Sequence, residues 1–205
     1  MNRTVYPLFH RGDIYAGFDT AAHPPHLHGW NDHEQAFRRI GGDAKIVVEI
    51  GTWLGKSALE WCRAAPNAEI VCIDTWLGAA EMWVNHDDPE RYQQLRHVHG
   101  YPSLYNTFLA NIISAGRQSQ VTPIPLPSSI ALRLLQHHGV KPDIVYIDGS
   151  HEFEDVSQDI ISAGKLFPRF ICGDDYGLWD GVTTAVNYYF PRAEKIGAFW
   201  CYEFK

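Results

Sequence analysis

Cysteine, methionine and long apolar runs are what this 205-residue sequence has least of: four Cys, two Met and no segment able to span a bilayer. Cys62, Cys72, Cys172 and Cys201 lie far apart with no C-x-x-C pairing, which argues against a disulfide framework or a zinc knuckle. Cys72 and Cys172 sit inside apolar runs and are expected to be small core residues. The opening stretch MNRTVYPLFHRGD lacks the apolar segment of a secretory signal. Positive charge is scarce too: 17 Lys and Arg stand against 24 Asp and Glu, a formal net charge of -7, with no Lys/Arg run. That balance argues against a partner held mainly by phosphate contacts. A soluble, cytoplasmic protein with neither a nucleic-acid nor a membrane partner is the expectation. Internal repeats, low-complexity tracts and long linkers are also missing. With 45% hydrophobic and 20% charged residues, the composition suits one globular domain over residues 1–205.

What is there is an alternation. Residues 1–30 are irregular and rich in aromatics, Pro and His. Asn31 or Asp32 is placed to cap a helix that runs to Ile40 and stops at Gly41-Gly42. Short apolar runs at 45–50 (KIVVEI), 69–74 (EIVCID), 121–125, 143–148 (DIVYID) and 169–174 (RFICGD) read as strands. Between them, 56–65, 128–138, 152–166 and 180–190 read as helices, so the strands are expected to be parallel and covered on both faces. The tail, 194–204, is β-rich with a tight turn at Gly197-Ala198 and predicts a hairpin whose last strand runs antiparallel. Residues 75–103 break the rhythm. They carry Trp76, Trp83, His86, His97, His99 and Tyr101, and read as an inserted lid or pocket wall.

Acidic residues end three of the strands, Asp74, Asp148 and Asp174. Ligands of open α/β sheets bind outside the carboxyl ends of the strands, although each acid alone could simply cap the helix that follows. The most informative segment is Val48-Glu49-Ile50-Gly51-Thr52-Trp53-Leu54-Gly55-Lys56-Ser57. Gly55-Lys56-Ser57 matches the end of a phosphate loop, but position 50 is Ile where that loop needs Gly. A G-x-G-x-x-G dinucleotide turn is absent as well, because Thr52, Trp53 and Leu54 separate Gly51 from Gly55.

Glu-x-Gly-x-x-x-Gly after strand one, followed by an acid ending strand two, resembles the cofactor motifs of class I S-adenosylmethionine-dependent methyltransferases. The closer resemblance is to the catechol O-methyltransferase type, whose loop E-x-G-x-x-x-G-x-S-A is matched by Glu49, Gly51, Gly55, Ser57 and Ala58. It covers the chain from about Trp30 onward, apart from the insertion. It implies a Rossmann-like fold with a mostly parallel seven-stranded sheet, helices on both faces and a C-terminal antiparallel strand. It also implies that Asp74 holds the ribose hydroxyls, that Thr75 and Trp76 border the adenine, and that Ser128 and Ser129 contact it. Thr52, Trp53 and Asp148 complete the expected cofactor set. Trp76 could equally be a core or lid aromatic.

The same resemblance implies a divalent cation, Mg²⁺ above all, on Asp148, Asp174 and Asp175, the last standing where the best-known members have Asn. Carboxylates crowded at adjacent strand ends raise one another's pKa unless a cation or base neutralises them, and all-oxygen ligation suits a hard cation. His151, three residues after Asp148, takes the offset of the family's proton-accepting residue; it is also the entry to a helix. His23, His26, His28 and His33 cluster in the amino-terminal arm, where a solvated or pocket-lining role is favoured over metal binding. The expected reaction is methylation of a small hydroxylated acceptor. A metal-independent N- or C-methyltransferase and a non-catalytic cofactor-binding relative are the alternatives, and a homo-oligomer is compatible with the aromatic arm.

Overall fold

The computed structural model describes residues 3–30, 32–84 and 97–204. Asn31, one of the two expected helix caps, and His86 of the insertion lie outside them. In chain order the elements are α1 (Tyr6–Phe9), α2 (Glu34–Gly41), β1 (Ile46–Ile50), α3 (Lys56–Ala64), β2 (Glu69–Asp74) and α4 (Ala80–Val84). Then come β3 (His97–Val98), β4 (Tyr101–Pro102), α5 (Leu104–Ser114), β5 (Val121–Pro125), α6 (Ser128–His137) and β6 (Ile144–Ile147). The chain ends with α7 (Phe153–Gly164), β7 (Phe170–Gly173), α8 (Asp180–Tyr189), β8 (Glu194–Ile196) and β9 (Phe199–Glu203).

The main sheet has seven strands in the order β5-β2-β1-β6-β7-β9-β8. Its pairs are parallel from β5 to β7, and β9 runs antiparallel to both β7 and β8. The α/β fold, the seven strands and the terminal hairpin are as the sequence predicted. Apolar runs explain it: β6 and β7 are buried at every position, as strands covered on two faces must be. Strand order reverses direction between β1 and β6, so the carboxyl ends of β1, β2, β6 and β7 border the crevice where such sheets bind ligands.

One face is covered by α2, α3 and α5 through Phe37, Trp61, Phe108 and Ile112, with the Phe37 and Trp61 rings stacked 3.8 Å apart. The other is covered by α6, α7 and α8 through Leu132, Leu135, Ile160 and Val186. Asp32 does help start α2, its carboxylate accepting the Glu34 N–H at 3.1 Å. Two helices outside the insertion were not foreseen, nor was α4 within it. The helix α5 follows the insertion directly, and its buried Leu104, Phe108 and Ile112 lie four residues apart, the spacing of one helical face. The other, α1, opens an arm that is pinned rather than irregular. Glu69, 2% exposed, accepts from the backbone N–H groups of Thr4, Val5 and Tyr6 at 2.6, 2.9 and 2.8 Å and from the Thr122 hydroxyl at 2.6 Å. The insertion holds α4 and the small β3–β4 hairpin. No helix among the described residues is long and apolar enough to cross a membrane, and all four cysteines are buried and free.

Candidate functional site

The turn after β1 is built by glycine at two places that tolerate nothing else. Gly51 has φ 83°, and a Cβ there would fall 2.0 Å from the Asp148 carbonyl oxygen, so β1 and β6 close on each other only without a side chain. Gly55, φ 87°, precedes α3, and a Cβ on it would press on the Phe108 ring at 3.0 Å. Between them Trp53 takes φ 51°, a left-handed conformation that costs a non-glycine residue about 1 kcal/mol or more. Asp74 holds the strain in place. Its two carboxylate oxygens accept the Trp53 N–H at 2.8 Å and the Trp76 N–H at 2.7 Å. Trp76 is left-handed as well, φ 52°, and its indole N–H bonds the Trp53 carbonyl at 2.7 Å. Asp74 is thus the hub joining the ends of β1 and β2. Burial raises its pKa above the ordinary carboxylate range, against these backbone N–H groups, which lower it.

Around this turn, buried polar atoms have no partner among the described residues. Glu49 is fully buried. It accepts a hydrogen bond from the Ser57 hydroxyl on one oxygen, while the other, Oε2, has none. Burial pushes its pKa up to about 8, against the lowering effect of Ser57. The Trp53 indole N–H is also buried and unbonded, and Thr52 Oγ1 has only the Cys72 thiol beside it. A structure satisfies such groups with its own atoms or with those of a ligand.

The Trp76 ring is 2% exposed and packs on Tyr105 and Phe108 at 4.8 Å each. It forms part of the wall of a cleft of about 440 Å³, bordered also by Thr75, Tyr101, Tyr105, Asn106 and His23. The Ser128 hydroxyl, at the first turn of α6, bonds Asp159 Oδ1 at 2.6 Å, while Ser129 is exposed. Asp159 is buried on α7 with a pKa pushed up to about 6 by burial; nothing in its local sequence singled it out.

The three carboxylates at the ends of β6 and β7 are neighbours, but they are not arranged as a ligand set. Asp148 has a pKa well above the usual range, raised first by burial and then by Asp174 and Asp175. Each of the other two faces an imidazole. His33 Nε2 lies 2.8 Å from Asp174 Oδ1, and His151 Nε2 lies 3.0 Å from Asp175 Oδ2. Asp174 also accepts the Asp175 N–H at 2.7 Å, and the Trp200 indole N–H bonds its carbonyl at 3.1 Å. Among the described residues no three His, Cys, Asp or Glu side chains are placed to hold a metal ion. The expected cation on Asp148, Asp174 and Asp175 is unsupported by this arrangement, in which the His33 and His151 imidazoles meet two of the three carboxylates.

His151 is held on two sides. Besides Asp175, its ring stacks flat on Trp179 at 4.2 Å and 9°. Asp175 has φ 66°, the third non-glycine left-handed residue at these strand ends after Trp53 and Trp76. Backbone strain concentrated there is what a site preorganised for a ligand shows. Of the four histidines in the arm, His33 alone reaches the carboxylates; His23 borders the cleft beside Trp76, and the rings of His26 and His28 stack 6.5 Å apart.

Residues 48–169 match the family described as a methyltransferase domain. No curated protein matches the chain. Among solved structures, a protein from Staphylococcus aureus assigned provisionally as a caffeoyl-CoA O-methyltransferase superposes with a TM-score of 0.56 at 11% identity, over 89% of this chain and 86% of that one. An rRNA methylase from Streptococcus thermophilus gives 0.54 at 10% identity, over 84% and 94%. A S-adenosylmethionine-dependent methyltransferase from Agrobacterium tumefaciens gives 0.47 at 12% identity over 75% of this chain, which spans about half of that protein, 47%. At such identities the likeness is one of fold.

Proposed function

This chain belongs to the methyltransferase-domain family, and from that premise we propose that it transfers a methyl group from S-adenosylmethionine to a hydroxyl of a small acceptor. The observation that carries the reading is the set of buried, unpartnered polar atoms at the turn after β1, Glu49 Oε2 and the Trp53 indole N–H. They flank the turn where Gly51 lets β1 and β6 approach closely. Glu49, Gly51, Thr52, Trp53, Gly55 and Ser57 would hold the methionine end, where a cationic amine can take the oxygen that Glu49 leaves unbonded. Asp74 would take the ribose hydroxyls on the lone pairs that its two backbone N–H partners do not use. Thr75, the edge of Trp76, Ser128, Ser129 and Asp148 would border the adenosine. When bound, the cofactor supplies an electrophilic methyl on a positive sulfonium.

What the chain adds is alignment and a base. His151 is the residue proposed to take the acceptor's proton. Asp175 and the Trp179 face fix its ring, and the carboxylate favours the imidazolium that forms, as in other histidine–carboxylate pairs. His33 with Asp174 is a second such pair on the same rim. A reading in which Mg²⁺ binds Asp148, Asp174 and Asp175 draws support from the crowding of three carboxylates, with His33 and His151 already holding one oxygen of Asp174 and one of Asp175.

Calorimetry with S-adenosylhomocysteine tests the proposal. Binding is expected, weakened about 1–3 kcal/mol in Asp74→Ala by the buried hydroxyls left unpaired. No binding to the wild-type protein, beside tight binding of NAD or ATP, would sink it. His151→Ala is expected to slow turnover roughly a hundredfold or more with affinity for the donor unchanged. Turnover lost on chelation and restored by Mg²⁺ would favour the metal reading; turnover indifferent to chelation would favour the imidazoles.

A further inference from the structure

Toward the β8 edge of the sheet, β7 and β9 place two thiols face to face. Cys172 and Cys201 are register partners in the antiparallel pair. The peptide of Phe170 bonds the Asp143 carbonyl and that of Asp174 bonds the Ile147 carbonyl, so even-numbered residues of β7 turn their backbone toward β6. The Cys172–Cys201 pair is therefore of the non-hydrogen-bonded kind. Such pairs hold their Cα atoms about 4.5 Å apart, inside the range a disulfide spans. The Cys172 thiol donates to the Val145 carbonyl at 3.7 Å, and Cys201 is its cross-strand neighbour. Cys62 and Cys72, also buried, have no such partner across a strand pair.

Only one of the two thiols has a way out. Cys172 is fully buried, whereas Cys201, 8% exposed, lines a cleft of about 870 Å³ between the end of α2 and the outer strands. Three arginines line that cleft: Arg39 pairs with Glu194 and Arg169 with Glu203 and Asp43, which leaves Arg192 as the cation with no ion pair among the described residues. An anion is drawn toward the one accessible sulfur.

We propose that Cys172 and Cys201 form a redox-responsive dithiol, oxidised to a β7–β9 disulfide by exchange with a small anionic disulfide that enters the arginine-lined cleft. In the first step Cys201, giving its proton to water, attacks one sulfur of the reagent. The reagent's S–S bond breaks and one thiolate leaves with the electron pair. In the second, Cys172 loses its proton and attacks the Cys201 sulfur, forming the internal disulfide and expelling the second half of the reagent as a thiolate. Two protein thiols are oxidised and one reagent disulfide is reduced to two thiols. Disulfides of this reversible kind are those that reducing compartments retain for sensing.

The test uses oxidised glutathione on the whole native protein, with peptide mapping before and after reduction. The expected product is lighter by two hydrogens, carries a Cys172–Cys201 link, and reverts with dithiothreitol. Cys172→Ala should instead trap one glutathionyl group on Cys201, and Cys201→Ser should leave Cys172 untouched. An uncharged reagent, 2-hydroxyethyl disulfide, should react at least about fivefold more slowly than the anionic one at low salt, and high salt should erase the gap. All four thiols inert until the protein is unfolded, or Cys62 and Cys72 reacting as readily as Cys201, would overturn the pair. Equal rates for the two reagents would overturn the role of the cleft.

Discussion

Two glutamates in this molecule are buried to nearly the same depth and use their oxygens in opposite ways. Glu69, where β2 begins, is saturated: three consecutive backbone N–H groups of the arm and the hydroxyls of Thr4 and Thr122 converge on its two oxygens. Glu49, near the end of β1, receives one hydrogen bond, from Ser57, and keeps Oε2 unpaired. Desolvating a carboxylate is costly, and folding tolerates it when donors replace the lost water. At the amino end of the strands the donors come from the chain itself. Near the carboxyl end of β1 one oxygen of Glu49 is left without a donor among the described residues, and a ligand with a cationic amine is what would complete the set. Saturation marks architecture, and a deficit marks a place kept for something else.

The largest effect expected from breaking this contrast is at Glu69. Glu69→Ala strands the N–H groups of Thr4, Val5 and Tyr6 and the Thr122 hydroxyl in a buried place, at about 1–3 kcal/mol each before relaxation. Roughly 5 kcal/mol of stability should be lost, read as a fall in the urea midpoint, which is a large part of what a domain of this size has. Affinity of the remaining folded protein for S-adenosylhomocysteine should be unchanged. A milder loss, under about 1 kcal/mol, would mean that the arm is not anchored there.

Glu49→Gln should act the other way and depend on pH. Burial holds the folded-state pKa at about 8 against an ordinary 4.5, so the folded protein keeps a proton that the unfolded chain has already released. The stability tied to that proton is complete below about pH 4.5, declines as pH rises, and is gone once pH passes 8. At about 1.4 kcal/mol per pH unit the swing has an upper bound of roughly 5 kcal/mol. Glutamine carries no such charge, so the variant should gain on the wild type between pH 5 and pH 9, by thermal melts in the absence of ligand. Parallel curves for the two proteins would place Glu49 in a solvated or paired setting and remove the contrast.

A third test separates the two sites by ligand. Saturating S-adenosylhomocysteine, at a hundred times its Kd, should raise stability by about 2.7 kcal/mol. Glu49→Gln should lose much of that gain at the same concentration, while Glu69→Gln, though less stable, should keep it. Equal gains in all three proteins would show that the ligand does not use the deficit at Glu49.

The contrast also explains what could be read from the chain. Strands and most helices were legible because burial writes itself into local apolar periodicity, as at EIVCID and DIVYID. The glycines of the turn were legible because their spacing is local too. Partners from distant parts of the chain were not. Glu69 looked like the first residue of a strand, and nothing near it says that it anchors residues 4–6. His33 on Asp174 joins positions separated by most of the chain, and Ser128 on Asp159 joins two helices. Helix α5 carried its signal openly in Leu104, Phe108 and Ile112, but it lies against the aromatic insertion, whose irregularity hid where the pattern resumes. The surroundings of the expected metal set were hidden for the same reason: carboxylates can be counted from sequence, whereas the histidines that meet them cannot.

The smallest predicted effect is the most direct measure of the deficit. Ser57 gives Glu49 its one hydrogen bond, and its hydroxyl favours the charged carboxylate over the neutral one. Removing it in Ser57→Ala takes away the only group that offsets burial, so the pKa of Glu49 should rise further. Below about pH 5 both proteins carry a neutral Glu49, and the variant should lose only the bond itself, about 1 kcal/mol. As pH climbs toward 8 the wild type begins to ionise Glu49 with Ser57 still bonded to it. The variant must either stay protonated or bury a bare charge. The midpoint of its decline in stability should therefore move to higher pH, while Glu49→Gln shows no decline of this origin and Glu69 variants keep the wild-type midpoint. A Ser57→Ala curve superposing on the wild type at every pH would mean that Glu49 has a donor besides Ser57, and that its environment is closer to that of Glu69 than the geometry indicates.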